Sequence, residues 1–295
     1  MHQNRHAYLI LAHNQWELLS NLLAALDDPR NDIYLHIDKK ASPPREHFLQ
    51  IVSHSRIFFT KQFNIVWGGT QMMECTLSML TQAHTIGYSH YHLISGVDFP
   101  IKSQDYIHNF FLERPKQQFI GFDWAGISSD RFIDRVKYYH LLINVIGKRE
   151  SHSTLHRFLT KIEDISLAVQ HKLHINRISY DFYKGSSWFS ITHDAVTAII
   201  KAQSSILKRY RFGANTDEIW LQTFIKNSGF STHLAESNMR YIKWIQGNPS
   251  PEILTMADYD DLCTSEMLFA RKFDWNVDNE VVLRLAELHT KEHTS

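Results

Sequence analysis

Tyr91-His92-Leu93-Ile94-Ser95-Gly96-Val97-Asp98-Phe99-Pro100-Ile101-Lys102-Ser103 is the stretch on which the reading of the whole chain turns. An apolar run, Tyr91 to Ile94, goes straight into a glycine, an acid and a proline. In open α/β sheets the ligand crevice lies outside the carboxyl ends of the strands, so Asp98 stands where a substrate can be touched. Gly96 permits a sharp departure of the backbone and Pro100 cannot donate to a ladder, which predicts that the strand ends here. A plain strand-to-turn exit with a solvated acid has the same local pattern.

Upstream, Ala7 to Ala12 reads as a buried strand, Asn14 as a helix cap, and Leu18, Leu19, Leu22, Leu23 and Leu26 recur at helical spacing until Asp27-Asp28-Pro29. Ile33 to Ile37 is a second strand that ends in Asp38-Lys39-Lys40, and Arg56 to Phe59 a short third. Val66-Trp67-Gly68-Gly69 makes a tight turn before a helix from about Thr70 to Thr85, with Cys75 in its interior. Such alternation predicts βα units and a parallel sheet. The two glycines would let backbone amides approach a phosphate, although a Gly-Gly pair alone carries little.

Downstream, Gln118 to Phe122 reads as a strand. The basic segment holding Arg131, Arg135 and Lys137 is either a solvated helix face or a set of contacts to an acceptor. Ser151 to Asn176 is His-rich, polar and helical, a peripheral excursion. Lys184 to Ile191 is a turn entering a strand, and Asp194 to Ala202 a helix. Asn215-Thr216-Asp217-Glu218 opens another helix, with Thr216 as its cap and acids in the first turn, where the helix dipole favours them. Thr255 and Asp258 have capping-box spacing, so the nearby acids read as structural.

The chain has 295 residues, 43% of them hydrophobic, enough to bury a sizeable core and to exclude disorder. Lys+Arg and Asp+Glu are both 31, so nothing in the overall charge marks a nucleic-acid scaffold or a polybasic membrane binder, and any basic site must be local. Two cysteines without partner spacing, and an N-terminal apolar run too short for a signal peptide or a membrane span, predict a cytoplasmic protein. None of the 19 histidines shows zinc-ligand spacing; most are read as polar surface or helix residues, and no metal site is expected.

Taken together the segments resemble the core-2/I-branching β-1,6-N-acetylglucosaminyltransferase family, which is related to peptide O-xylosyltransferases, and the chain looks like a bacterial member. The carriers, in order, are residues 7–13, 34–40, 66–69, 93–103, 185–189, 216–218, 240–244 and 268–274. The resemblance implies a GT-A-like α/β fold, a single unit with a mostly parallel central sheet flanked by helices. Its nucleotide-sugar-binding half would be 1–110, and its acceptor-binding and catalytic half 111–295. It also implies an inverting transfer from a UDP-sugar, most simply UDP-GlcNAc, to a glycan or lipid-linked oligosaccharide, with no cofactor and no divalent metal. The expected setting is bacterial surface polysaccharide synthesis in the cytoplasm, at most peripheral at the inner face of the membrane with transient contact there.

By the same resemblance Glu218 is the base that takes the acceptor proton, and Arg271 and Lys272 offset the diphosphate charge where other enzymes use a metal. Asp38 matches the acid that contacts the nucleotide; His13, Val66 and Gly68 line the same pocket. Asp98 orients the donor, while Trp188 and Trp244 are either sugar platforms or core residues. Arg131 and Lys137 are assigned to the acceptor side. Glu252 is a departure, standing where animal members carry a basic residue. The alternatives are xylose or another donor sugar, and a catalytically inert glycan- or nucleotide-binding module of the same fold.

Overall fold

Every residue of His6–Ala12, the first strand (β1), is buried, and its side chains divide between two cores. Ala7, Leu9 and Leu11 enter one cluster, with the helices Gln71–His84 and His193–Tyr210; Tyr8, Ile10 and Ala12 enter the other, with the helices Trp16–Ala25 and Glu280–Glu292. The period of two along a strand thus gives a sheet with helices on both faces. The computed structural model describes residues 4–123, 130–148, 153–177, 180–245 and 250–292.

β2 (Asn31–Ile37), β3 (Arg56–Phe59) and β4 (His90–Ser95) join β1 in parallel; β6 (Phe119–Ile120) and β7 (Phe189–Thr192) complete the sheet antiparallel, in the order β3-β2-β1-β4-β7-β6. The sheet is therefore the expected α/β layer, parallel on one side of β4 and antiparallel on the other. Elements from both halves of the chain share it.

β4 does not simply stop. After Gly96 the chain enters β5 (Asp98–Pro100), which pairs antiparallel with β9 (Phe269–Arg271); β9 in turn runs parallel to β8 (Arg240–Ile242). Pro100 is the last residue of β5, so it ends a ladder in a second sheet rather than preventing one. Arg240 ties the two sheets: its guanidinium donates to Ser190 Oγ at 2.9 Å, to the Phe189 carbonyl at 2.6 Å and to the Asn238 carbonyl, and lies 5.0 Å from the Phe269 ring centre. Burial, only partly opposed by Asp98, lowers its pKa to about 9.

Several local expectations need correction. Asn14 is exposed and caps nothing. Gln15 precedes the first helix in the left-handed region (φ 58°), and its amide donates to Asp274 Oδ1 at 2.7 Å. Thr216 does not cap; its hydroxyl is buried without a partner, and residues Thr216–Glu218 form a short 3-10 turn before the helix Trp220–Lys226. The Gln118 to Phe122 strand shrinks to two residues, and the 194–202 helix extends over His193–Tyr210 because Thr192 caps it through the Ala195 amide. The Thr255 and Asp258 capping box is present.

The histidines hold a feature that their spacing did not announce. His6, His36, His90, His92 and His108 are all buried, and four of them meet: His6 stacks on His108 at 4.0 Å between centroids, His92 Nε2 lies 3.1 Å from His6 Nδ1, and His90 meets His6 edge-on at 5.5 Å. His6 lies on β1, His90 and His92 alternate on β4, and His108 comes from the helix Gln104–Leu112, so no spacing within one segment announces the cluster. Burial lowers the pKa of all four.

Candidate functional site

At the carboxyl ends of β1, β2 and β4 the chain is stitched by its own backbone. The Asp38 amide donates to the Ala12 carbonyl and the Gly96 amide to the Leu11 carbonyl. Asp38 is buried, and its carboxylate accepts the Lys40 amide at 2.9 Å and the Ile65 amide at 3.1 Å. Both oxygens already order the loop that leads to Val66 and Gly68. A carboxylate has about four lone-pair sites, so this geometry leaves acceptor capacity while fixing the group.

Gly68 stands at φ +89°, and a Cβ there would fall 2.7 Å from Lys148 Cγ, so only glycine lets the Lys148 stem cross the turn. The Gly68 carbonyl accepts the Asn215 amide at 2.8 Å, which docks the Val66–Gly69 turn on the turn carrying Glu218. Glu218 Oε2 is 2.8 Å from Arg135 Nη1 and 3.7 Å from Lys184 Nζ. Lys184 also pairs with Asp123. Desolvation and the nearby Arg135 lower the Lys148 pKa, while Glu218 and Asp217 pull it up. Arg135 and Lys184 thus flank one partly exposed carboxylate, and Lys148 is near enough for its charge to be felt.

Asp217 is turned away, accepting the Ser187 hydroxyl at 2.8 Å; burial and the Glu218 charge push its pKa up to about 6. This fits its reading as a structural acid. The Gly185 amide donates to the Glu218 carbonyl, and a Cβ on Gly185 would overlap the Gly121 carbonyl oxygen, at 1.9 Å. From Gly185 the chain reaches Trp188, over whose ring the Arg271 guanidinium lies at 4.3 Å. Three residues of chain span at most about 11 Å, so Glu218 and Arg271 flank one short turn.

Arg271 faces Asp98 across the β5–β9 pair, with Nε 3.6 Å from Oδ1, too long for a hydrogen bond. Both atoms are buried without hydrogen-bond partners, although Asp98 Oδ2 accepts the Ser95 amide. Asp98 is wholly buried, not a solvated acid. Burial raises its pKa and lowers that of Arg271, so each group is pushed towards its neutral form and the pair only partly offsets the loss of water. A guanidinium in this state gains strongly from an anion. Lys272 Nζ is 3.2 Å from Ser250 Oγ.

The structure therefore links Asp38, Val66, Gly68, Glu218, Trp188, Arg271 and Asp98 through consecutive contacts, with Lys272 adjoining. His13 is exposed just past β1. Trp244 is 57% exposed beyond β8 and is not a core residue. Lys137 packs over the Tyr138 ring, its Nζ 5.4 Å from the ring centre. Arg131 belongs to the helix Asp130–Lys137, but its side chain lies outside the described residues. Glu252 is 3.7 Å from Lys243, which also holds Asp258 at 2.8 Å. Sequence reasoning missed Lys148 and Lys184 and gave Arg135 no link to Glu218. The only available signal was that Lys184 directly precedes the Gly185 turn.

The Glu218 carboxylate with its cations and the buried Arg271–Asp98 pair thus stand on either side of the turn 185–188. Residues 6–267 match the model of the Core-2/I-Branching enzyme family, and the chain belongs to that family of glycosyltransferases. It is 22% identical over 308 aligned residues to the xylosyltransferase oxt of Drosophila melanogaster, covering 93% of this chain and 32% of the relative. To the beta-glucuronosyltransferase GlcAT14B of Arabidopsis thaliana it is 24% identical, covering 95% of this chain and 67% of the relative. The chain thus spans about a third of the first relative and two thirds of the second. Among solved structures, mouse xyloside xylosyltransferase 1 in its apo form aligns over 90% of this chain and 97% of its own, at 9% identity and a TM-score of 0.39. Among the described residues no helix is long and apolar enough to cross a membrane, and no group of three or more His, Cys, Asp or Glu is placed to hold a metal ion.

Proposed function

We propose that this chain transfers a sugar, with inversion, from a UDP-sugar to a hydroxyl of a glycan or lipid-linked acceptor in bacterial surface polysaccharide synthesis. The observation that carries this reading is the turn 185–188, which ties Glu218 on one side to Arg271 on the other. Glu218 takes the acceptor proton as that oxygen attacks the anomeric carbon, the bond from carbon to the diphosphate oxygen breaks, and UDP leaves with the electron pair. Arg271 and Lys272 neutralise the charge that develops on the leaving diphosphate, in place of a divalent metal. Both cations on Glu218 sit on Oε2, and Oε1 carries neither. UDP-GlcNAc is the first donor. The printed activities of the relatives favour xylose or glucuronate as the second.

UDP release is to be measured with UDP-GlcNAc, UDP-xylose, UDP-glucose, UDP-galactose and UDP-glucuronate. Glu218→Gln should keep UDP affinity while lowering transfer by about 10²–10⁴-fold. Lys272→Ala should weaken UDP binding about tenfold or more; unchanged affinity there sinks the diphosphate assignment. Binding of UDP without release from any donor would make the protein an inert module of the same family.

A further inference from the structure

The helix Thr154–Lys172 is built inside out. Glu163 and Gln170 point inward and are buried, Glu163 accepting the Leu142 amide at 2.9 Å, and Gln170 bonding both the amide and the carbonyl of Tyr139. Leu155, Phe158, Ile162, Ile165, Val169 and Leu173, spaced by three or four residues, face solvent at 41–66% exposure. Residues at that spacing share one helix face, so this is a continuous apolar stripe along five turns. Leu141 and Val145 are also exposed, at 55% and 67%, on the neighbouring segment whose Leu142 amide bonds Glu163. The inward polar residues are each specifically bonded, so the exposed stripe is not a slipped register.

We propose that this stripe docks the protein on an anionic lipid bilayer. A helix with an apolar face of Leu, Phe and Ile and basic flanks lies in the membrane interface with that face among the acyl chains. The exposed charged residues along it are Arg157, Lys161 and Lys172 against the single acid Asp164, a flank complementary to anionic headgroups. A second copy is the competing occupant. Two-fold pairing of the stripe with itself would set these basic flanks against their own counterparts, and like charges facing one another oppose association. The segment 141–148 runs from the Leu142–Glu163 bond to Lys148 at the Gly68 turn, so docking would bring the candidate site near the membrane, where, on the proposed reading, a lipid-linked acceptor would lie. Lipid binding needs neither donor nor acceptor, so it stands or falls separately from the transferase reading.

The full chain is to be floated with phosphatidylcholine vesicles, with and without about one third phosphatidylglycerol. The protein should rise with the anionic vesicles and release on adding salt. Ile162→Glu with Ile165→Glu should reduce the bound fraction about tenfold or more, and Arg157→Glu with Lys161→Glu about tenfold. These side chains are exposed, so circular dichroism and thermal midpoint should match the parent. Absence of flotation, or equal flotation of the stripe variant, overturns the assignment. So does a dimer in sedimentation that the Ile162→Glu, Ile165→Glu variant dissolves while no vesicles are bound, since the face would then belong to a second copy.

Discussion

β1 and the helix Thr154–Lys172 place polar and apolar groups in opposite ways. β1 buries Tyr8, Leu9, Ile10 and Leu11, while the helix buries Glu163 and Gln170 and exposes Phe158, Ile162 and Ile165. In β1 the driving force is non-directional, proportional to the apolar area removed from water. In the helix it is a small number of directional bonds to the backbone of residues 139–142. The first arrangement is general to any doubly covered sheet. The second makes sense only if the outer face has a use.

The comparison is broken most forcefully by acid. His6, His90, His92 and His108 are buried within the sheet half, among Arg30, Asp28, Asp105 and Arg240 as the nearest charges. Burial holds His90 at about 3 and His108 at about 4, with His6 and His92 well below the ordinary value. These folded-state values lie under the unfolded value near 6.5, so the unfolded chain takes up protons that the folded one refuses as pH falls through that region. Stability is full above pH ~7 and is lost below ~6.5, at about 1.4 kcal/mol per pH unit for each excluded proton. Urea midpoints at pH 7.5 and 5.5 should therefore differ by several kcal/mol in derived stability, as an order of magnitude. A flat profile would mean that the cluster charges inside the fold.

A smaller change separates the two regions by truncation. Ile10→Ala removes a wholly buried side chain between β2 and β4 and should cost about 2–5 kcal/mol. Ile165→Ala, on the exposed stripe, should stay within about 0.5 kcal/mol. Equal losses in denaturant titrations would show that the stripe is covered within the folded chain, and the contrast would collapse.

What could be read from the sequence follows the same division. The strands at Ala7, Ile33, Arg56 and Tyr91, and the helix around Cys75, were legible because apolar runs and their turn residues carry the information locally. The second sheet was not, since β5 joins β9 from the far end of the chain, and no period within either segment announces it. At the candidate site the acids and the Arg271-Lys272 pair came from motif resemblance. The setting of Glu218 did not, because Arg135 reaches it from the helix Asp130–Lys137 and Lys184 from a loop elsewhere in the chain. The 154–172 segment looked polar and uninformative because composition averages over its two faces. Its meaning lies in which face is inward, and only the contacts of Glu163 and Gln170 decide that.

Those contacts give the finest test. Glu163→Gln keeps an oxygen for the Leu142 amide and should cost less than about 1 kcal/mol. Glu163→Leu removes the acceptor, leaves that amide without its partner, and should cost about 1–3 kcal/mol, with faster hydrogen exchange at Leu142. The order matters more than the size. Replacing a buried charge with an apolar group is stabilising where the surroundings can pack around it. A Glu163→Leu chain more stable than its parent would therefore mean that the inward polarity is dispensable, and the outward stripe would lose the argument that it is placed there by design. If Gln is tolerated and Leu is not, the helix is held by its bonds to residues 139–142, and its apolar face is left for an external partner.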